Sequence, residues 1–195
     1  GMITIQDPVS ARRKPGSVGL PIGDTRIRIV DDQGSDCAVG EPGVIYVRQP
    51  AVPDFTYLNN EAARVKAGLD DLATVGDIGY LDDEGYLYIC DRKSDMVISG
   101  GVNIYPAEIE HVLITLPGVT DCAVLGVPDA EYGESLLAVV AATPGLLSVE
   151  QVQQYVRERL ASFKVPRRVE LVDALPRDDN GKIAKRHLRD RFAPS

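Results

Sequence analysis

Lys182 lies in the polar stretch NGKIAKR (180–186), where a glycine precedes a cation. A lysine on such a loop can neutralise charge that develops during phosphoryl or adenylyl transfer, chemistry that depends largely on electrostatic positioning. The phosphate-loop pattern G-x-x-x-x-G-K-[ST] is not met, because Ile183 follows the lysine and the first glycine is missing. Lys182 is therefore either an exposed turn lysine or a cation that swings toward a phosphate. Asp77 closes TVGD (74–77) at the start of an apolar run. A carboxylate there either caps a turn or accepts both hydroxyls of a ribose. Gly100-Gly101 follows MVIS (96–99) and reads either as a hairpin turn or as backbone that must approach a narrow group closely.

Other chemistries lack their residues. No serine stands in a G-x-S-x-G elbow. His111 and His187 are far apart, and Cys37, Cys90 and Cys122 form no C-x-x-C, so no metal site built of side chains is expected. Three scattered cysteines read as free thiols in a reducing, cytoplasmic setting. Asp82-Asp83-Glu84 reads as a solvated turn. No apolar run reaches membrane-spanning length. The net charge of −8 is uneven: residues 163–195 hold nine Lys/Arg against five Asp/Glu, so that tail is +4 and the remainder −12. A basic tail with few aromatics on an acidic chain does not fit nucleic-acid binding, and a solvated helix face explains its charge.

The elements that must position these residues follow from periodicity. TRIRIVD (25–31) alternates Ile27 and Ile29 with Arg26 and Arg28, a half-buried strand. GEPGVIYVRQP (40–50) holds a second strand, EAARVK (61–66) a short helix, and 77–90 a hairpin of strands 77–81 and 86–90 about an Asp-Asp-Glu-Gly turn. After Arg92 the rhythm changes. MVISG gives a short strand, and Pro106 opens a helix with a stripe of Ile109, Val112, Leu113 and Leu116, stopped by Pro117-Gly118. Two strands lie in 119–129 and 134–144. A helix follows, with Ser148 and Gln151 as a capping box, then the strand RRVELVD and a basic helix over 184–192. The reading is α+β: a small β-barrel-like subdomain over 1–91, then a compact β-α-β-β-α-β-α domain over 92–195.

Three segments then agree in order and spacing: TVGDIGYLDDEGYLYICDR (74–92), DRKSDMVISGGVNIYPAEIE (91–110) and VPRRVELVDALPRDDNGKIAKR (165–186). They closely resemble the last three conserved motifs of adenylate-forming enzymes, and PGSVGLPIGDTRIRIVD (15–31) resembles the segment just upstream. The ISGGVNIYPAEIE wording looks most like acyl- or aryl-CoA ligases. The resemblance implies that a carboxylic acid is activated with ATP and Mg2+ to an acyl-adenylate and then transferred to CoA. It implies that Asp77 holds the ATP ribose, with Arg92 beside it, and that Lys182 stabilises the first step. Gly100, Gly101 and Asn103 would face the pantetheine arm in the second step. The domain over 92–195 would be a mobile lid, rotating at a hinge near Ser94 between the two steps. Ser94 stands where the family usually has Asp or Lys.

The family's glycine-rich phosphate loop, its adenine-stacking segment, most of its magnesium site and its acyl pocket have no counterpart in these residues. The resemblance therefore implies a C-terminal part that is inactive alone, whose first partner is the missing N-terminal domain. A homodimer through exposed apolar surface is a further expectation. Gly1-Met2 fits either a start at Met2 or a cut inside a longer chain. The first of these leaves open a stand-alone binding or regulatory module that keeps the fold without catalysis.

Overall fold

The computed structural model describes residues 2–53 and 61–192, and Gly1 lies outside them. The chain divides into two compact units, Gly1–Ser94 and Asp95–Ser195.

The first unit is built from β1 (Thr4–Ile5), α1 (Pro8–Arg13), β2 (Ser17–Pro21), β3 (Arg26–Val30), β4 (Gly43–Arg48), α2 (Glu61–Lys66), β5 (Gly68–Leu69), β6 (Leu72–Ala73), β7 (Asp77–Leu81) and β8 (Leu87–Arg92). The strands form one eight-stranded antiparallel sheet, ordered β1-β2-β8-β7-β4-β6-β5 with β3 on β4. The sheet curls as a half-barrel, as the run of short strands between glycine turns requires. Its small core is Ile29, Ile45 and Leu87, backed by Ile27, Val47 and Leu81. The alternation in 25–31 is therefore realised, while Arg26 pairs with Asp71 and Arg28 with Asp36 and Asp70. Helix α1 was not expected from the pattern of apolar residues. Its signal is local: Asp7 accepts the N–H groups of Val9 and Ser10, and Pro8 supplies a helical φ at the first turn.

In β7–β8 the register slips between Ile78 and Gly79, so Asp91 faces Ile78, Ile89 faces Gly79, and Cys90 is the extra residue of a bulge. Only glycine fits at 79, where a Cβ would lie 2.1 Å from the Tyr88 carbonyl oxygen. The bulge falls one step from the Asp77↔Arg92 pair and re-aims the end of β8.

The second unit runs β9 (Val97–Ser99), β10 (Val102–Ile104), α3 (Pro106–Leu113), β11 (Val119–Asp129), β12 (Gly133–Ala142), α4 (Val149–Arg157), β13 (Arg168–Val172) and α5 (Lys185–Phe192). Its sheet is ordered β10-β9-β12-β11, and β13 joins β12 in parallel. Strand β10 is absent from the sequence reading. The Gly100-Gly101 turn folds Val102-Asn103-Ile104 back on β9.

Strands β11 and β12 are apolar at nearly every position because both of their faces are covered. Val124, Leu136, Ala138 and Val140 face Ile109, Leu113, Val152 and Val156 of α3 and α4. The alternate residues Ala123, Leu125, Leu137 and Val139 face Leu188 of α5, with Ile183 packed against them. The Ser148–Gln151 capping box starts α4 as expected: the Ser148 hydroxyl accepts the Gln151 N–H, and the Gln151 side chain accepts the Ser148 N–H. Leu113 is fully buried between α3 and the sheet. Leu113→Ala is expected to destabilise the second unit by about 2–5 kcal/mol. The measurement is the shift in its urea midpoint, followed by a probe inside residues 95–192.

Candidate active site

The candidate residues fall into one group in the first unit and two in the second. In the first, Asp77 opens β7 directly after Gly76, whose N–H is held by the Thr74 hydroxyl at 3.0 Å. Antiparallel pairing sets Asp77 opposite Arg92, and Arg92 Nε lies 3.5 Å from Asp77 Oδ1. The guanidinium is 63% exposed and the contact is long, so the pair adds little stability. It is Asp77's one charged partner among the described residues, which leaves carboxylate lone pairs for a hydroxyl-bearing ligand. Asp77 stands at the rim of an apolar groove of about 520 Å³ lined by Val18, Val47, Ala73, Val75 and Ile89. The next residue along, Lys93, donates its N–H to the Gly76 carbonyl at 2.7 Å, and Ser94 ends the unit.

In the second unit, Gly100 (φ +58°) and Gly101 (φ +81°) form the two-residue turn of the β9–β10 hairpin. Both central residues need positive φ, as in the turn whose twist matches a hairpin, so the hairpin reading of this pair is the structural one. The tip is exposed, and a Cβ at Gly101 would meet nothing within 4 Å. At Gly100 a Cβ would lie 3.1 Å from the Tyr132 ring. Asn103 is exposed on β10, across from Ile98.

Lys182 sits on a loop that is tied down rather than swinging. Asp178 Oδ1 accepts the N–H groups of Asn180 and Lys182, each at 2.9 Å, and the Asp178 N–H donates to the Lys182 carbonyl at 2.8 Å. Gly181 takes the positive φ of +77° that closes the turn. Arg177 reaches the Gly181 carbonyl and pairs with Asp121. Motion is left to the Lys182 side chain, which is exposed and has no acidic partner among the described residues. Lys185, three residues on, differs: its ammonium is 2.8 Å from Glu110 Oε1, an oxygen that also accepts the Val124 N–H at 2.7 Å.

Sequence reasoning missed what surrounds Gly100. A cavity of about 430 Å³ is bounded by Gly100, Tyr132, Arg157, Phe163 and Arg167. The available signal was chemical: two arginines and two aromatics from separate elements suit an anionic ligand with a flat group. Among the described residues no group of three or more His, Cys, Asp or Glu could hold a metal ion. No helix among them is long and apolar enough to cross a membrane.

A half-barrel sheet with an aspartate at the start of β7, followed by an α+β unit carrying a glycine hairpin and a loop lysine, is the C-terminal architecture of adenylate-forming enzymes. Comparison with known proteins leads to the same class. Residues 1–53 match the AMP-binding enzyme model, and residues 108–182 match the AMP-binding enzyme C-terminal domain. The chain belongs to the AMP-binding enzyme family.

Among its relatives, 2-succinylbenzoate–CoA ligase of Bacillus licheniformis is 43% identical over 182 residues, 93% of this chain and 37% of the relative. Long-chain-fatty-acid–CoA ligase FadD13 of Mycobacterium tuberculosis is 42% identical, covering 94% and 36%. The solved o-succinylbenzoate CoA synthetase of Bacillus subtilis, in complex with its acyl-adenylate intermediate OSB-AMP, superposes with a TM-score of 0.90 at 36% identity. That match covers 100% of this chain and 40% of the synthetase, which has also been solved with ATP and magnesium ion. The chain thus spans little more than a third of the length of these curated relatives.

Near the base of the Lys182 loop, burial pushes the Cys122 thiol up to about 12, with Glu110 and Asp121 adding to the shift. The fold prefers the neutral thiol, whose S–H donates to the Glu110 carbonyl. Its contribution is full below the unfolded value of 9.0 and is lost as pH rises toward 12. Stability measured by denaturant midpoint is expected to fall through that window, and Cys122→Ala is expected to flatten the slope. An unchanged slope would place the alkaline loss elsewhere.

Proposed function

We propose that this chain is the C-terminal part of an acyl-CoA ligase, which converts a carboxylic acid and ATP to an acyl-adenylate and passes the acyl group to CoA. The observation that carries this reading is Lys182: an exposed ammonium with no acidic partner among the described residues, on a loop fixed by Asp178, in a chain of this family. In the first half-reaction a carboxylate oxygen of the acid attacks the α-phosphorus of ATP and pyrophosphate leaves. A positioned ammonium stabilises the charge that builds on the phosphate oxygens. Asp77 accepts the ribose hydroxyls, and Arg92, held beside it, faces the same sugar. In the second half-reaction the CoA sulfur attacks the acyl carbon, the bond to AMP breaks and the thiol proton is lost. Gly100 and Gly101 present backbone without side chains, and Asn103 presents an amide, to the pantetheine arm. The adjoining cavity with Arg157, Arg167 and Phe163 suits the phosphate- and adenine-bearing end of CoA.

Mg2+ would neutralise the ATP phosphates. No group of three or more His, Cys, Asp or Glu among the described residues fits it, and its ligands would come from ATP and the N-terminal domain. Ser94, where the first unit ends, is the pivot between the half-reactions. Among the described residues the cysteines form no disulfide, which supports a cytoplasmic location, and exposed Val75 and Ile89 in the apolar groove support packing against the N-terminal domain or a second copy.

Lys182→Ala removes an exposed side chain and leaves the fold unchanged. In the complete enzyme it is expected to cut acid-dependent pyrophosphate exchange by about 10²–10³-fold. Transfer to CoA from supplied acyl-adenylate is expected to stay within about 3-fold. Unchanged exchange would remove Lys182 from catalysis, and no acyl-CoA product from the parent enzyme with any acid would overturn the ligase reading.

A further inference from the structure

The glycine tip is not held by its own hairpin alone. Three bonds tie it to the turn between β11 and β12. The Gly100 N–H donates to the Tyr132 carbonyl at 2.9 Å, Ser99 pairs with Gly133, and the Ile98 N–H donates to Glu134 Oε2 at 2.9 Å. The Tyr132 ring also packs on Gly100 closely enough that a methyl group there would lie 3.1 Å from it and press the ring aside by a few tenths of an ångström. Whatever shapes the 129–133 turn therefore shapes the tip.

That turn is organised by one side chain. Asp129 Oδ1 accepts the N–H groups of Glu131 and Tyr132, each at 3.0 Å, and its carboxylate also takes the hydroxyl of buried Ser135. Asp129 Oδ2 lies 3.8 Å from Arg167 Nη1, and the Arg167 guanidinium lies 3.9 Å from the centroid of the Tyr132 ring. The carboxylate thus orients both the backbone that holds Gly100 and the cation that stacks on Tyr132. These partners hold Asp129 below the ordinary carboxylate range, the two turn N–H groups contributing most. Its charge is more than a three-residue hairpin needs, since many such turns close on backbone bonds alone.

We propose that Asp129 is a positioning residue for the thioester-forming half-reaction, acting through Tyr132 to set the Gly100-Gly101 tip and through Arg167 to set the wall of the adjoining cavity. The inference rests on the CoA-ligase reading. It predicts a separation of the two half-reactions, because among the described residues the partners of Asp129 (Glu131, Tyr132, Ser135 and Arg167) are not those that hold the Asp178 turn under Lys182.

The test uses the complete enzyme with Asp129→Ala and Asp129→Asn. Asn keeps an oxygen that can accept the turn N–H groups. Asp129→Ala is expected to raise the KM for CoA, or lower CoA-dependent turnover, by about 10-fold or more, with pyrophosphate exchange within about 2-fold of the parent. Asp129→Asn is expected to recover most of that loss. In the 195-residue chain the Gly100 amide is expected to exchange with solvent faster in Asp129→Ala than in the parent, while the Lys182 amide does not change. Equal losses in both half-reactions, or no loss in either, would overturn the proposal. If Asp129→Ala does not fold, Tyr132→Leu removes the ring that packs on Gly100 and must give the same split. A parent enzyme that exchanges pyrophosphate but makes no acyl-CoA would instead count against the ligase reading.

Discussion

The second unit depends on one constraint: β11 and β12 are buried on both faces. Ala123, Leu125, Val127, Leu137 and Val139 point one way, and Val124, Leu136, Ala138 and Val140 the other. Two strands with no polar face must be covered twice, by α3 and α4 on one side and by α5 on the other. Nothing polar can be placed within that sandwich at acceptable cost. Chemistry is pushed to the edges, where chain reversals bring backbone groups and charged side chains to the surface. The Gly100-Gly101 tip, the 129–133 turn and the Asp178–Lys182 loop are all such edges, each rooted in the core by a neighbour. Ile183 and Leu188 anchor the lysine loop, and Val97 and Ile104 anchor the hairpin.

The first unit solves a different problem with a smaller core. Its sheet has one well-filled patch and one apolar groove, and stability there leans on surface charge networks. Lys14, for example, meets Asp82 and Glu84 at 2.7 Å each, and its ammonium is held well above the usual lysine range by those two bonds. Such pairs lock the β7–β8 hairpin to α1, because the partners are partly shielded and shared among several groups. Among the described residues Asp77 stands outside this network, with one long contact to Arg92. The fold places this carboxylate without neutralising it, the opposite of Asp82.

How legible this was depended on the scale of each signal. The capping box at Ser148, the proline start of α3 and the runs in β11 and β12 are local or strictly periodic, and the structure realises them. Of the stripe Ile109, Val112, Leu113 and Leu116, Val112 is only partly buried and Leu116 is buried beyond α3, which ends at Leu113 before Pro117-Gly118. Strand β10 was hidden because three residues carry too little periodicity to compete with the helix that follows. Helix α1 was hidden by having no buried residue, although Asp7-Pro8 announced its cap. The bulge at Cys90 lies beyond any alternation rule, since it is set by the contact of Gly79 with the neighbouring strand. At the candidate site, Asp77, Arg92, Gly100, Asn103 and Lys182 could be picked from motif wording. Their supports could not, because Asp129 and Arg167 lie far from Gly100 in sequence, and only the β9–β12 pairing brings them to it.

That division between legible groups and hidden supports has a physical origin. A group that meets a ligand must be exposed and loosely partnered, so its residue type is constrained by chemistry and shows in the sequence. A group that fixes its position is constrained by geometry, and many side chains could in principle do the work. Lys182 and Asp178 make the contrast within five residues: the ammonium has no acidic partner, while the carboxylate beside it spends its Oδ1 on two backbone N–H groups. The same relation holds between Gly100 and Asp129, where the exposed tip has no side chain at all and its shape is delegated to a turn on another strand. A mobile ammonium on a rigid loop loses only side-chain freedom when it engages a phosphate, which is the smaller part of the ordering cost. Rigid backbone under free functional groups thus lets a small unit meet a ligand without refolding.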